Sequence, residues 1–433
     1  MIRIQIALFT LMISGLTSVV RADATRHDPA VQTLMHRIDA IEHDIAELRD
    51  GTPPPPRARE VLTRRIIDEI DARREAGLDG FTTGYKSGFV IQSEDSNFKL
   101  RVKGRVQLRY IASERDVDPG GDSSRRGFEA RRVRIELDGH VFDPSWKWKV
   151  VGDPSRSTGT LSLNDAWIQK SFDNGFSVLL GRFRPSLFRE YEVSSKRQLA
   201  VERSLVVGEF NFDRGSGVGA AYSNDDIKVK IAYVEDFIID PAVRATRDRD
   251  WVATTRIEWR VAGDWKRFRD HTSSEGETAI LIGGGIGYEQ NDDNGPGGAM
   301  MRSDSWSWTV DVSAEKEHYN AFAAIIGRHT DPETGENVDV IGIVAQAGMR
   351  ISENDEIFIR YEWGDDDRTE QLRVLTAGMN RYIYGHGVKI TGDVGYAFDE
   401  VSSTWASSGA GWVADDAGQD GQVVVRGQLQ LTF

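Results

Sequence analysis

The stretch that decides the fold is Phe98–Tyr110, with the sequence FKLRVKGRVQLRY. Alternate positions carry basic side chains, interrupted only by Gln107: Lys99, Arg101, Lys103, Arg105 and Arg109. Because successive side chains of a strand point to opposite faces, one face is a column of cations and the other is apolar. Like charges side by side repel, which disfavours this column on a soluble sheet. A barrel wall with lipid outside and water inside explains both faces, and a half-exposed strand of a soluble protein is the alternative.

The same two-residue period continues to the end of the chain and predicts sixteen strands. They lie near residues 98–112, 128–142, 146–153, 161–172, 176–184, 215–223, 226–237, 250–262, 278–290, 305–315, 318–329, 338–351, 356–364, 370–383, 387–398 and 421–433. Short turns such as 173–175 alternate with long acidic loops such as 399–420. An even number of roughly ten-residue alternating segments is typical of outer-membrane barrels. The predicted fold is therefore all-β, a sixteen-stranded antiparallel transmembrane barrel spanning residues 88–433.

Three segments precede the predicted barrel. Residues 1–24 have a basic start, an apolar run and the small-residue step Ala22-Asp23-Ala24, which together predict a cleaved secretory signal. Residues 25–52 contain a heptad seam formed by Val31, Leu34, Ile38, Ile41, Ile45 and Leu48. This seam predicts a helical coiled coil that self-associates, with an amphipathic helix packed on its own domain as the alternative. Residues 53–87 begin with four prolines and predict a stiff linker followed by a short helix.

Charge and composition limit the classes of function. The 433 residues include no cysteine, so the chain has neither disulfides nor thiolate metal ligands, and we expect no metal and no cofactor. The net charge of −14 argues against a nucleic-acid partner. The region 98–203 nevertheless holds 21 Lys and Arg against 14 Asp and Glu. A basic region within an acidic chain suggests local handling of an anion.

Three further motifs carry a resemblance to a known family. Phe128–Arg134, FEARRVR, is similar to the strand-two arginine motif of the phosphate-selective porin O and P family. The Asp-Ala-aromatic step of that family is matched at Asn164–Trp167, NDAW. Leu180–Pro185, LGRFRP, and the later Glu202–Leu205, ERSL, resemble the fifth strand and the loop that follows it. The resemblance runs from about residue 88 to residue 433 and weakens in the second half.

The resemblance implies a trimeric outer-membrane porin whose third loop, about residues 185–214, folds inward and narrows a pore for phosphate or polyphosphate. The candidate anion-binding and constriction residues are Arg131, Arg132, Arg134, Arg105, Arg109, Asp165, Arg182, Arg184, Lys196 and Arg197, with Lys99, Arg101 and Lys103 as a ladder in the lumen. Guanidinium groups bind phosphate oxygens in a fork and stay charged at physiological pH. Arg131 and Arg132 have opposite parity, so a regular strand cannot point both into the lumen.

The sequence thus predicts an outer-membrane channel for passive diffusion of small anions, with lipid and other copies of the chain as partners and its N-terminal extension in the periplasm. A general or sugar-conducting porin shares the fold and remains an alternative. A second alternative is a structural protein that tethers envelope layers, with the coiled coil as its periplasmic contact. We expect no enzyme, because the eight histidines are scattered and accompany no nucleophile signature.

Overall fold

The computed structural model describes residues 80–115, 124–154, 160–235, 251–272, 276–294, 300–369, 371–415 and 421–433, together with Arg64 and Asp68. The predicted signal, coiled coil and most of the predicted linker lie outside these residues and remain predictions. The chain divides into two units, Met1–Phe81 and Thr82–Phe433, and the second contains the barrel.

Eighteen strands form one sheet, and sixteen of them close into a barrel. The strands are β1 (Phe81–Tyr85), β2 (Phe89–Ser93), β3 (Lys99–Glu114), β4 (Ser124–His140), β5 (Trp146–Pro154), β6 (Leu161–Ser171), β7 (Phe176–Phe183), β8 (Gly215–Ser223), β9 (Ile227–Glu235), β10 (Trp251–Ala262), β11 (Ala279–Asn294), β12 (Met300–Lys316), β13 (Tyr319–Pro332), β14 (Val338–Arg350), β15 (Asp355–Asp365), β16 (Leu372–Tyr382), β17 (Val388–Ala397) and β18 (Val423–Thr432). Each of β3–β18 pairs antiparallel with its neighbours, and β18 returns to pair with β3. The predicted sixteen-stranded barrel is confirmed.

The barrel wall buries its charges and exposes its aliphatic side chains. In β10, Arg256 and Glu258 are buried inside, whereas Ile257 between them is 51% exposed on the outer surface. In β12, Asp311 is buried beside the exposed Val310. Soluble proteins show the opposite arrangement, with apolar side chains inside and charged side chains outside. Charged residues inside and aliphatic residues outside are stable when the barrel is surrounded by lipid. Within the described residues, no helix is long and apolar enough to span a bilayer.

Aromatic side chains form a band on the outer surface toward the long loops. The rings of Tyr233, Trp251, Tyr288 and Trp306, on the consecutive strands β9–β12, follow one another at centroid distances of 5.7, 5.0 and 4.7 Å. Tyr and Trp prefer the interface between hydrocarbon and headgroups, because each has an apolar body and a polar group. In outer-membrane barrels generally, long loops lie on the extracellular side and short turns on the periplasmic side.

The C-terminal residue packs at the seam that closes the barrel. The backbone N–H of Gly104 donates to the carbonyl of Phe433 at 2.8 Å, and Phe433 donates back at 3.1 Å. A Cβ at residue 104 would lie 2.2 Å from the Phe433 ring, so the close approach requires glycine. Beside this seam β2 pairs with β3, and its Phe89 ring lies 6.3 Å from that of Phe433.

The first strand corrects one boundary of the sequence analysis. Phe81–Tyr85 is β1, which pairs with β2 in a hairpin, although the prediction assigned residues 53–87 to a linker and a short helix. The segment FTTGY was too short, and Gly84 too unfavourable for a strand, to give a clear two-residue pattern.

The loop of residues 184–214 between β7 and β8, here called the constriction loop, lies inside the barrel. It contains the short helices α1 (Arg189–Glu192) and α2 (Leu205–Glu209). Helix α2 packs against the inner wall of β14, where Gly342 leaves the necessary space. A Cβ at Gly342 would lie 2.4 Å from Cγ1 of Val206.

Buried polar groups of the wall also hold the constriction loop through its backbone. The N–H of Val201 donates to Asp393 of β17 at 2.8 Å, and Nζ of Lys389 donates to the carbonyl of Gln198 at 2.8 Å. These side chains extend from the wall of β10–β18, so the loop fills that half of the barrel. The half formed by β3–β9 stays open.

A second loop folds inward above the constriction loop. Residues 398–415, here called the covering loop, bury Trp405 and Trp412 almost completely. Glycines of the wall again provide the space, since a Cβ at Gly364 would lie 2.6 Å from Trp405 and one at Gly395 would lie 2.6 Å from Trp412. The sequence analysis treated residues 399–420 only as a long outer loop. Burial of two indole rings accounts for the described part folding inward instead.

Candidate functional site

The open half of the barrel contains two adjoining cavities. One, of about 730 Å³, lies beneath the covering loop and is lined in part by Trp405. The other, of about 650 Å³, lies toward the short turns and is lined in part by Trp265. Arg105 and Ser194 line both cavities, so the two meet where the constriction loop approaches β3.

Basic side chains far outnumber acidic ones around these cavities. The fourteen cations are Arg105, Arg131, Arg132, Arg134, Lys149, Arg184, Arg189, Lys196, Arg197, Arg203, Arg214, Lys228, Lys230 and Arg269, and the six carboxylates are Glu136, Asp165, Glu192, Glu202, Glu209 and Glu258. In a narrow space with low-dielectric walls, such an excess creates a positive potential that concentrates anions. A positive interior in a chain of net charge −14 is therefore a local property of the lumen.

A β-bulge resolves the parity conflict between Arg131 and Arg132. In the pairing of β3 with β4, Gln107 lies opposite Arg132 and Leu108 lies opposite Ala130, so Arg131 is the extra residue. A bulge allows two consecutive side chains to point to the same side of a sheet. Both arginines accordingly line the larger cavity.

Arg131 and Arg132 meet the same carboxylate, that of Glu202 on the constriction loop. Nε of Arg131 donates at 2.9 Å and Nη2 of Arg132 at 2.5 Å, and Nη2 of Arg109 adds a third bond at 3.0 Å. Burial alone would raise the pKa of Glu202, but the charges of Arg132, Arg109 and Arg131 outweigh it and hold the pKa well below its usual value. The three arginines are therefore paired with an internal anion.

Arg105, in contrast, has no carboxylate partner among the described residues. It donates from Nη1 to the hydroxyl of Ser195 at 2.6 Å and from Nη2 to that of Ser194 at 3.2 Å. Its buried Nε has no hydrogen-bond partner. Lys196 also lines the second cavity, and no carboxylate of the described chain lies within ion-pairing distance of it. Burial, followed by the charge of Arg105, lowers the pKa of Lys196 to about 8, so the two cations are neighbours.

Two other arginines lie against one aromatic ring on the constriction loop. The guanidinium carbon of Arg184 lies 4.3 Å from the ring centroid of Tyr191, and that of Arg203 lies 4.6 Å from it. All three residues line the larger cavity. Stacking on an aromatic face holds a guanidinium in place without neutralising its charge.

Three more of the predicted lumen residues, Asp165, Arg134 and Arg197, form ion pairs within the described chain. Asp165 accepts from Arg214 at 2.7 Å, and Nε of Arg134 donates to Asp153 at 2.6 Å. Arg197 lines the second cavity, and its Nη1 lies 3.6 Å from Oδ2 of Asp270 in the turn after β10.

The lower part of the predicted cation ladder is compensated by the neighbouring strand. Arg101 bonds Asp138 of β4, with Nε 3.0 Å from Oδ2, and Lys103 bonds Glu136 at 2.5 Å. Neither these two cations nor Lys99 lines either cavity. Among the described residues of this column, Arg105 is therefore the cation that both lines the cavities and lacks a carboxylate partner.

Two predicted site residues lie elsewhere. Arg109 is fully buried, where it bonds Glu202 and the carbonyl of Gly409, so it fastens both inward loops. In β7 the lumen-lining Phe183 alternates with Arg182, which places Arg182 on the outer surface. The assignment of Arg182 to the lumen is thus corrected, because strand parity points its side chain outward.

Sequence reasoning did not include several groups that belong to this site. Glu202 and Arg203 were quoted only as motif positions, and Ser194, Ser195 and Tyr191 were not among the candidate residues. The available signal was a run of polar residues in a loop already expected to fold inward. Which of them approach Arg105 depends on how the loop packs, which no local pattern gives.

A closed barrel with an outer surface suited to lipid and a charged interior defines the chain as an outer-membrane porin in class. Residues 100–262 match the family model described as phosphate-selective porin O and P. The resemblance predicted from the arginine motif is therefore confirmed over that region. No curated protein matches the chain.

Solved structures of porins share the fold. OmpT of Vibrio cholerae, expressed in the outer membrane, superposes with a TM-score of 0.52 at 12% identity, covering 79% of this chain and 100% of that one. An anion-selective porin from Comamonas acidovorans superposes with a TM-score of 0.56 at 14% identity, covering 77% of this chain and 99% of that one. At these identities the likeness establishes the barrel fold.

Proposed function

We propose that the chain is an outer-membrane channel for passive diffusion of small anions and that it prefers phosphate. The observation that carries this proposal is the excess of fourteen cations over six carboxylates around the two cavities. Pores lined by Arg and Lys favour anions, because the positive potential offsets part of the lost hydration of the ion. No bond is made or broken in this function.

The binding step is proposed at Arg105, Lys196, Ser194 and Ser195, where the two cavities meet. Arg105 and Lys196 supply uncompensated positive charge. The two serine hydroxyls already accept bonds from Arg105, so each can donate its own hydrogen to an anion oxygen. Charge-assisted donors of this kind suit the several oxygens and double charge of phosphate better than they suit chloride.

Conduction also requires that the bound anion leaves. On the extracellular side, Arg184 and Arg203 offer the next cations, held against Tyr191. On the periplasmic side, Lys228 and Arg269 line the second cavity. Successive sites of moderate strength allow an ion to move from one to the next, which a single deep site would prevent.

The proposed assembly is a homotrimer in the outer membrane. A trimer form of OmpT from Vibrio cholerae shares the fold at a TM-score of 0.51 and 13% identity, covering 77% of this chain and 99% of that one, which supports the proposal. The similar porin of Comamonas acidovorans is described as anion-selective, which supports the proposed solute class. The N-terminal extension, with its heptad seam, is proposed to lie in the periplasm.

The proposed function is tested on purified full-length protein in planar bilayers. In a KCl gradient we expect a reversal potential that shows preference for chloride, and we expect added phosphate to block the chloride current at low concentration. Weak selectivity without block would contradict the phosphate proposal and favour a general porin. Folded protein without conductance would favour the tethering alternative, which deletion of residues 31–50 would then examine.

Anion selectivity should fall as the pH rises through about 8. Lys196 faces Arg105 from β3 and Glu136 from β4 and lies next to Arg197, and its pKa of about 8 makes it a cation below that pH and neutral above it. We expect the anion-to-cation permeability ratio to decrease between pH 7 and pH 9. Lys196→Arg is the control, because a guanidinium stays charged throughout this range. An unchanging wild-type ratio, or the same decrease in the arginine variant, would contradict the assignment.

A further inference from the structure

Glu202 occupies the kind of site that usually holds an oxyanion. Three guanidinium groups converge on its two carboxylate oxygens, from Arg109 on β3 and from Arg131 and Arg132 on β4. Arginine forks around two or more oxygens are the common means by which proteins hold phosphate or carboxylate ligands. Here the ligand is part of the chain itself.

This cluster faces the permeation space. Arg131, Arg132 and Glu202 all line the larger cavity, while Arg109 closes the cluster from behind. The covering loop lies close above, since a Cβ at Gly409 would be 2.9 Å from the guanidinium of Arg131. Three cations around one carboxylate leave a net positive charge, so the cluster still attracts anions. It has no vacant binding site for them, because the Glu202 carboxylate already occupies the arginines.

The carboxylate of Glu202 is not the main fastening of the constriction loop. The neighbouring N–H of Val201 is held by Asp393 at 2.8 Å. The carbonyl of Glu202 accepts from Nη1 of Arg360 at 2.9 Å, and Oε2 of Glu362 accepts from the N–H of Leu205. All these bonds use loop backbone and persist without the Glu202 carboxylate. Its three side-chain bonds therefore call for another explanation.

We propose that Glu202 is a specificity-determining residue that acts as a tethered competitor for permeating anions. It occupies the Arg109, Arg131 and Arg132 cluster and keeps phosphate from being retained there. Transit then depends on the weaker site at Arg105. This inference rests on the proposed anion channel and adds the residue that sets how strongly the channel holds its solute. An empty cluster of three arginines would bind phosphate too tightly for conduction.

The test is phosphate block of chloride current in Glu202→Gln, a nearly isosteric change that removes the charge. We expect half-block at a phosphate concentration lower than in wild type by about tenfold or more, because one charge-assisted bond is worth about that factor. Asp393→Asn is the matched control, since it loosens the neighbouring anchor without vacating the cluster. Unchanged or weaker block in folded Glu202→Gln, or equal tightening in Asp393→Asn, would overturn the proposal.

Arg132→Gln supplies a second, independent variant. In the wild-type background the cluster is occupied by Glu202, so this change should weaken phosphate block only slightly, through the loss of one of the fourteen cavity charges. In the Glu202→Gln background it should reverse most of the tightening. A strong loss of block from Arg132→Gln alone would show that phosphate already uses the cluster and would overturn the proposal, even if Glu202→Gln did not fold. A wild-type channel without anion preference would instead contradict the proposed function itself.

Discussion

Replacing Arg105 by Gln should raise the phosphate concentration that half-blocks chloride current by about tenfold or more. A hydrogen bond to a charged group contributes about 1.5–3 kcal/mol, and 1.4 kcal/mol corresponds to a factor of ten. Arg105 lies where the two cavities meet, lacks a carboxylate partner among the described residues and has an unpaired Nε. Its loss removes both the central positive charge and the group that orients Ser194 and Ser195.

Arg101→Gln is the matched control for this experiment. Arg101 lies on the same strand and the same face, but its charge is compensated by Asp138, with Nε and Oδ2 3.0 Å apart. It lines neither cavity. We therefore expect a much smaller change in phosphate block. Equal effects of the two substitutions would mean that phosphate responds to the overall charge of the strand and that Arg105 is no binding group.

Replacing Arg256 by Gln should destabilise the protein by about 3–5 kcal/mol, the usual cost of removing one partner of a buried ion pair. The guanidinium of Arg256 is fully buried and bonds Asp311 twice, at 2.8 and 2.9 Å. It also donates to the carbonyl of Leu187 at 2.8 Å, which fastens the first part of the constriction loop to β10. We expect a lower temperature for heat-induced unfolding and, because the loop is loosened, a higher conductance.

Arg260→Gln is the matched control, four residues further along the same strand. Its partner Asp226 lies in a short turn at 3.2 Å and is largely exposed. Exposed ion pairs contribute about 0–1 kcal/mol, so the unfolding temperature should remain close to that of wild type. If Arg256→Gln unfolded at the wild-type temperature, the buried cluster would not be what holds the loop in place.

The arrangement of the two inward loops explains how one barrel contains both a rigid and an open half. The wall of β10–β18 receives apolar groups at glycines such as Gly342 and Gly364, where a side chain would collide with Val206 or Trp405. The wall of β3–β9 and the constriction loop together carry eighteen of the twenty charged residues around the cavities. Close packing against the β10–β18 wall thus holds the two loops in place. On the β3–β9 side, the charged residues determine which ions enter the open half of the barrel.

Much of the barrel could be predicted because its signal is local. Arg256, Ile257 and Glu258 show why: the two-residue period places every second side chain on the same face, so a few residues are enough to assign a strand. The arginine motif at Phe128–Arg134 also gave the resemblance to the phosphate-selective porin O and P family, which the match over residues 100–262 confirms for that region. The hairpin strand β1 was not predicted because five residues that include a glycine carry too little of that pattern.

The sequence by itself determined the strands, their lipid-facing side and the family resemblance over residues 100–262, because these depend on residues close together in the chain. Only the tertiary structure decided which cations are free. Arg131 and Glu202 are 71 residues apart, and a single bulge in β4 turns both Arg131 and Arg132 toward that carboxylate. Arg182 faces outward through the same parity argument applied in β7. Charge compensation depends on side chains brought together across the barrel, so strand periodicity cannot show that Arg105 lines the cavities without a carboxylate partner among the described residues.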